Sequence, residues 1–126
     1  MRVGDLLVEA KLTESDFQSA KISLVERYRD LCEVFYVDEL PMRDGRVLGY
    51  QLVRGTLAAY ASESSFCVLC DARRPGLIEP WYAVMRAVRT FDLRCRLKLL
   101  TWQELASVVP CDLREFLAEK YGIVSG

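Results

Sequence analysis

The stretch Leu6-Leu7-Val8-Glu9-Ala10-Lys11-Leu12 decides how the rest of the chain is read. Leu6, Val8, Ala10 and Leu12 share one face, while Asp5, Leu7, Glu9 and Lys11 share the other, which is the period of a β-strand. A second strand is legible at Phe66-Cys67-Val68-Leu69-Cys70, an unbroken apolar run suited to a strand covered on both faces. A third is expected from Cys95 to Trp102, where Arg94, Arg96 and Lys98 alternate with Leu97, Leu99 and Thr101. Helical spacing fills the intervals. Leu24, Tyr28, Leu31 and Phe35 recur at steps of four, three and four, predicting a core-facing helix from Ser19 to about Phe35. Pro41, Asp44-Gly45 and Gly49 predict a loop over Val37 to Gly49. Further helices are expected from Leu48 or Tyr50 to Ala61, from Leu77 to Thr90, from Trp102 to Val109 and from Asp112 to Tyr121.

Strands alternating with helices predict an α/β fold: a small mixed sheet of three or four strands flanked by helices, in a single domain over residues 1–126. The composition agrees, with 52% hydrophobic and 28% charged residues in 126. Lys plus Arg number 17 against 18 for Asp plus Glu, which argues against a generally polycationic nucleic-acid binder and leaves room for a local basic face. The chain contains no histidine. Ser-His and Cys-His nucleophile pairs, an imidazole base and His metal ligands are therefore excluded, and acid-base work falls to carboxylates, lysine, tyrosine or cysteine.

The five cysteines, an odd number without an apolar leader, lead us to expect reduced thiols and a cytoplasmic location. Cys67 and Cys70 stand three apart on a strand, so their side chains point to opposite faces and are expected to be packing residues rather than one chelating pair. No apolar run approaches the roughly 20 residues that span a bilayer, and no strand is followed by a glycine-rich phosphate loop.

Glu9-Ala10-Lys11, on a strand entered from Gly4-Asp5, resembles the (D/E)-x-K half of the PD-(D/E)XK phosphodiesterase superfamily, which contains restriction endonucleases and many repair and recombination nucleases. Tyr50-Gln51-Leu52-Val53-Arg54-Gly55-Thr56-Leu57-Ala58-Ala59-Tyr60 is similar to the glutamine- and tyrosine-bearing helix of its exonuclease-like branch. With the order of elements after Lys11, the resemblance covers most of the chain. It implies a restriction-endonuclease-like core, DNA as partner and Mg²⁺ as cofactor. It assigns Glu9 to metal binding and Lys11 to the catalytic lysine, with Gln51 as a substrate or water contact and Tyr60 behind it. The chemistry explains these residue types. Mg²⁺ prefers oxygen ligands, polarises a phosphodiester and lowers the pKa of a bound water. A lysine two positions along the strand shares that face, where it can position the water or offset charge on phosphorus.

The chain departs from the family at the upstream acid. Asp5 is the one candidate before Glu9, and four strand residues at about 3.3 Å separate their backbones by roughly 13 Å, too far to share a metal. Asp5 is expected in a turn with Gly4, the core lacking its first strands. Three explanations follow: a shortened member that has lost its metal site, a ligand from a partner subunit, or a substitute among Glu14, Glu26 and Asp71. The first is favoured. The expected function is a nuclease-like protein with an incomplete or degenerate active site; the alternative is a non-enzymatic α/β interaction or DNA-binding scaffold. Taken alone, a Glu and a Lys two apart are most simply an exposed pair on a strand. The nuclease reading instead requires Glu9 and Lys11 to converge with Gln51 on an open cleft. Arg94, Arg96 and Lys98 predict either a basic stripe or protection of an edge strand. An unpaired edge along Leu6 to Leu12 predicts a homodimer through the Met1 to Leu12 region.

Overall fold

The computed structural model describes residues 1–14 and 16–125. Its main sheet has the order β1-β2-β6-β7, built from β1 (Arg2–Val3), β2 (Leu6–Ala10), β6 (Ser65–Cys70) and β7 (Leu97–Thr101). β1 runs antiparallel to β2, and β2, β6 and β7 run parallel to one another. The expected mixed sheet is therefore present. β6 is central and buried along Phe66 to Cys70, as its unbroken apolar run requires.

Two expectations change at the N-terminus. The hairpin's first strand is present as a two-residue stub, with Arg2 opposite Leu7 and Val3 opposite Leu6, so the core does not lack that strand altogether. The edge of β2 is correspondingly covered. Val8 donates its N–H to the Met1 carbonyl at 2.7 Å, and the Met1 amino group donates to the Val8 carbonyl at 3.1 Å. The row of open backbone groups that motivated a homodimer through Met1 to Leu12 is thus paired as far as Val8. Asp5 lies in the turn with Gly4, whose φ of 59° suits the tight connection.

The expected helix from Ser19 to Phe35 is broken. Its first residues form β3 (Ser19–Lys21), followed by the short helices α1 (Ile22–Val25) and α2 (Leu31–Val34). β3 pairs antiparallel with β5 (Arg46–Leu48), and β5 pairs with β4 (Met42–Arg43) across the Asp44-Gly45 turn, where both residues have positive φ. The predicted loop thus holds most of a second, three-stranded sheet of order β3-β5-β4. Burial explains the change. Ala20 and Val47, partners across that sheet, are buried in the core, whereas Leu24, on the expected helical stripe, is 44% exposed.

Helices α3 (Tyr50–Ser62), α4 (Pro75–Arg86), α6 (Trp102–Ala106) and α7 (Cys111–Tyr121) fall where expected, and α5 (Phe91–Arg94) closes the turn before β7. The core gathers Leu52, Val53, Phe66, Val68, Leu77 and Trp81 between α3, β6 and α4. Trp81 is fully buried and donates its indole N–H to the Lys98 carbonyl at 3.0 Å, tying α4 to β7. Phe66 meets Trp81 edge-on, with ring centroids 5.3 Å apart. Cys67 and Cys70 are buried, and burial pushes both thiols up, that of Cys70 to about 11. β7 is an edge strand. Arg94 lies in α5 and donates to the Val88 carbonyl, and Arg96 donates to the Ser64 carbonyl, so no open stripe of Arg94, Arg96 and Lys98 forms. No helix among the described residues is long and apolar enough to cross a membrane.

Candidate active site

The Glu9-Lys11 face of β2 lies under α3, and that placement brings the expected residues together. Glu9 and Gln51 line one open cleft of about 530 Å³, whose other walls include Leu7, Ala58 and Phe66. Lys11 follows β2 and donates its backbone N–H to the Leu69 carbonyl at 2.8 Å, which extends the parallel pairing by one step. Its side chain points under α3, and the Nζ donates to Gln51 Oε1 at 2.7 Å.

Gln51 reaches Lys11 because the start of α3 is anchored. Gly49, with φ 70°, turns the chain from β5 into the helix. The first N–H groups of α3 have no partner within the helix and donate instead to the preceding segment: Tyr50 to the Gln18 carbonyl and Gln51 to the Phe17 carbonyl. Phe17 is buried, and the Lys11 ammonium lies 5.4 Å from its ring centroid. The Trp102 indole N–H holds the Lys11 carbonyl from the other side at 2.8 Å.

Lys11 is only 5% exposed. Lysines that deeply buried are ordinarily paired with a carboxylate, because an isolated buried ammonium is costly. Here the hydrogen-bond partner is a neutral amide, and neither Lys11 nor Glu9 takes part in an ion pair among the described residues. The simple picture of an exposed Glu-Lys pair therefore does not hold. A positive charge is fixed beside a cleft that carries one carboxylate, and an anion entering the cleft would supply the missing partner.

The three substitute acids are otherwise engaged or remote. Asp71, at the end of β6, accepts from Arg73 N–H, the Arg73 guanidinium and Gln103 Nε2, and those Arg73 hydrogen bonds hold its carboxyl well below the usual range. Arg73 in turn donates to the Tyr121 and Gly122 carbonyls, so Asp71 fastens the end of α7. Glu14 has its pKa lowered by its own backbone N–H first, then by the N–H of Leu12, the nearby Lys11 charge and the N–H of Thr13, and its side chain is exposed. Glu26 ends α1 and is not part of the cleft wall. Among the described residues no group of three or more Asp, Glu or Cys could hold a metal ion. In the hairpin register Met1 stands opposite Val8, so no β1 residue faces Glu9. One carboxylate does not make a Mg²⁺ site by itself, since such sites combine protein carboxylates with substrate phosphates and water.

Tyr60 is not behind Gln51. Nine residues on a 3.6-residue helix place the two on opposite sides of α3, and the Tyr60 hydroxyl donates to Glu33 Oε2 at 3.1 Å in a separate hollow. Two cleft residues were not anticipated, Arg2 and Arg54. Arg54 is three residues beyond Gln51 and so shares its helix face, a spacing that could have revealed it. Arg2 could not be found this way, because its position depends on the hairpin register.

Compared with known families, residues 1–122 match the family model described as restriction endonuclease associating with ARP. The chain belongs to this family. Membership bears out the resemblance drawn from Glu9-Ala10-Lys11 and the α3 segment, and with it the restriction-endonuclease-like core and a nuclease-like role in the broad sense. Comparison with curated proteins and with solved structures yields no match.

Proposed function

We propose that the chain is a nuclease-like protein that grips a DNA phosphodiester in the Glu9-Gln51 cleft, beside the Lys11 ammonium that Gln51 holds, but lacks a complete catalytic metal site. The observation that carries this reading is the buried Lys11 ammonium, held by the neutral Gln51 amide beside an open cleft. The division of labour follows from position. Lys11 supplies the charge that meets a phosphate oxygen, and Gln51 fixes the ammonium while its remaining amide N–H groups stay available to the substrate. Arg54 and Arg2 add positive charge at the cleft wall. Glu9 is the one carboxylate there, and it favours a cation or water bridging to the same phosphate. Because the donor set falls short of a Mg²⁺ site, no hydrolytic step is assigned.

The family description supports a second reading. A member "associating with ARP" works with a partner, and a second acid brought to the cleft by that partner would complete the pair.

Incubating supercoiled plasmid with the purified protein and Mg²⁺ or Mn²⁺, alongside calorimetric titration of each ion, tests the proposal. We expect DNA to remain uncut and no saturable ion binding below millimolar concentration. Metal-dependent cleavage abolished by Glu9→Ala would overturn the degenerate-site reading.

A further inference from the structure

The second sheet carries a row of cations that the cleft does not use. In the register of β3, β5 and β4, Lys21 stands opposite Arg46 and Arg46 opposite Arg43. Three exposed positive side chains therefore lie side by side across the sheet, while Ala20 and Val47, on the other face, are buried. Like charges directly opposite one another destabilise a sheet. None of the three takes part in an ion pair among the described residues. The Arg46 guanidinium donates to Ser19 Oγ at 2.9 Å and to the Ser19 carbonyl at 3.0 Å, neutral groups that orient it without cancelling its charge. Asp16, Glu26, Asp38, Glu39 and Asp44, the carboxylates within five residues of the row in sequence, are exposed and make no ion pair with it.

The row has a further positive neighbour. Beside it lies a hollow of about 420 Å³ whose charged lining is Lys21, Arg27 and Arg46, with no carboxylate, and whose wall includes Tyr50. The Arg54 guanidinium sits 5.4 Å from the Tyr50 ring centroid and also lines the Glu9 cleft. Asp30, Glu33, Glu63 and Asp92 line another hollow together with Arg29 and Arg96, and Asp30 also shares a hollow with Arg54. Positive side chains thus occur at the cleft, through Arg54 and Arg2, and again at the second sheet, through Lys21, Arg27, Arg43 and Arg46.

We propose that the Lys21-Arg46-Arg43 row is a second contact for the DNA backbone, taking phosphates of a duplex that extends beyond the one held at Lys11 and Gln51. A single phosphate would call for donors converging on one point. Cations strung along a surface fit a polyanion of repeated charge. The inference rests on the reading of the cleft as a DNA site, and on no cleavage step.

The test is fluorescence anisotropy with a labelled 20-base-pair duplex in EDTA, repeated across a salt series. Lys21→Gln, Arg43→Gln and Arg46→Gln are introduced together and compared with a charge-matched control carrying Arg86→Gln, Arg89→Gln and Lys120→Gln. For every phosphate that a variant no longer neutralises, the slope of log affinity against log salt flattens by about 0.9, and binding weakens about eightfold at 0.1 M salt. The row variant is expected to show both effects while remaining folded with a cooperative melt, since relief of like-charge repulsion offsets the loss of the Arg46–Ser19 hydrogen bonds. The control is expected to bind as the parent does. Equal weakening by the control, or an unchanged slope in the row variant, would overturn the proposal. Tighter binding of single-stranded RNA than of the duplex would overturn the assignment to DNA. Failure of the cleft reading is distinguishable: there Lys11→Met leaves duplex affinity unchanged while the row variant still weakens it.

Discussion

Gly55→Ala tests whether α3 is seated on the sheet closely enough to fix Gln51 over Lys11. Gly55 is one turn beyond Gln51 on α3, and a Cβ built there would lie 2.6 and 2.8 Å from two carbons of the Phe66 ring, with Phe66 Cζ closer still. The ring cannot swing aside, because Phe66 is 3% exposed and packs edge-on against the fully buried Trp81. In an open helix, alanine would be favoured over glycine by about 0.8–1 kcal/mol. Overpacking a filled core costs about 1–3 kcal/mol. The immobile ring places the cost in the upper part of that range, so we expect a net loss of about 1–2 kcal/mol. Urea denaturation should show a lower midpoint at unchanged slope, with a fall in melting temperature of the order of 5 °C. An equal or higher midpoint would refute the close α3-β6 seating from which the site geometry is built.

Acid should expose the role of Asp71. Its folded pKa lies below the unfolded value of about 3.9, so its contribution is complete above that value and is lost as pH falls toward the folded pKa. Asp71→Ala should cost about 1.5–3 kcal/mol at pH 7 and make stability less dependent on pH below about 4, as followed by thermal melts from pH 2 to pH 7. An unchanged acid limb would show that the Arg73 contact carries no stability. Thiol titration with a colorimetric disulfide at pH 8 should modify the exposed Cys32, Cys95 and Cys111 in the native protein, and Cys67 and Cys70 only after denaturation. Rapid native reaction at all five thiols would contradict the buried placement of β6.

The parts of the fold legible in sequence are those whose pattern is long enough to stand alone. β6 is a run of apolar residues, and α4 carries Leu77, Trp81 and Val84 on one buried face. The second sheet was hidden because its strands are two or three residues long and gain stability from pairing rather than from pattern. Lys21 and Arg46 look like surface residues until register sets them side by side. The Leu24-Tyr28-Leu31-Phe35 spacing imitated a helix, yet Tyr28 is drawn instead to the Tyr50 hydroxyl, 2.8 Å away, and Leu24 faces outward. At the candidate site, the resemblance picked out Glu9, Lys11 and Gln51 by residue type and spacing, and the fold sets them near one another. Arg2 and the burial of Lys11 were not, since both depend on how α3 and the hairpin sit on β2.

The most direct test of the central claim is the affinity of a labelled 20-base-pair duplex, in EDTA, for the parent protein and for Lys11→Met. Methionine keeps the buried stem and removes the charge, so the fold should survive, with melting unchanged or raised because a buried ammonium is replaced by an apolar group. We predict roughly eightfold weaker binding at 0.1 M salt and a salt slope flatter by about 0.9. Equal affinity and slope for a folded Lys11→Met protein would contradict the placing of a DNA phosphate at Lys11.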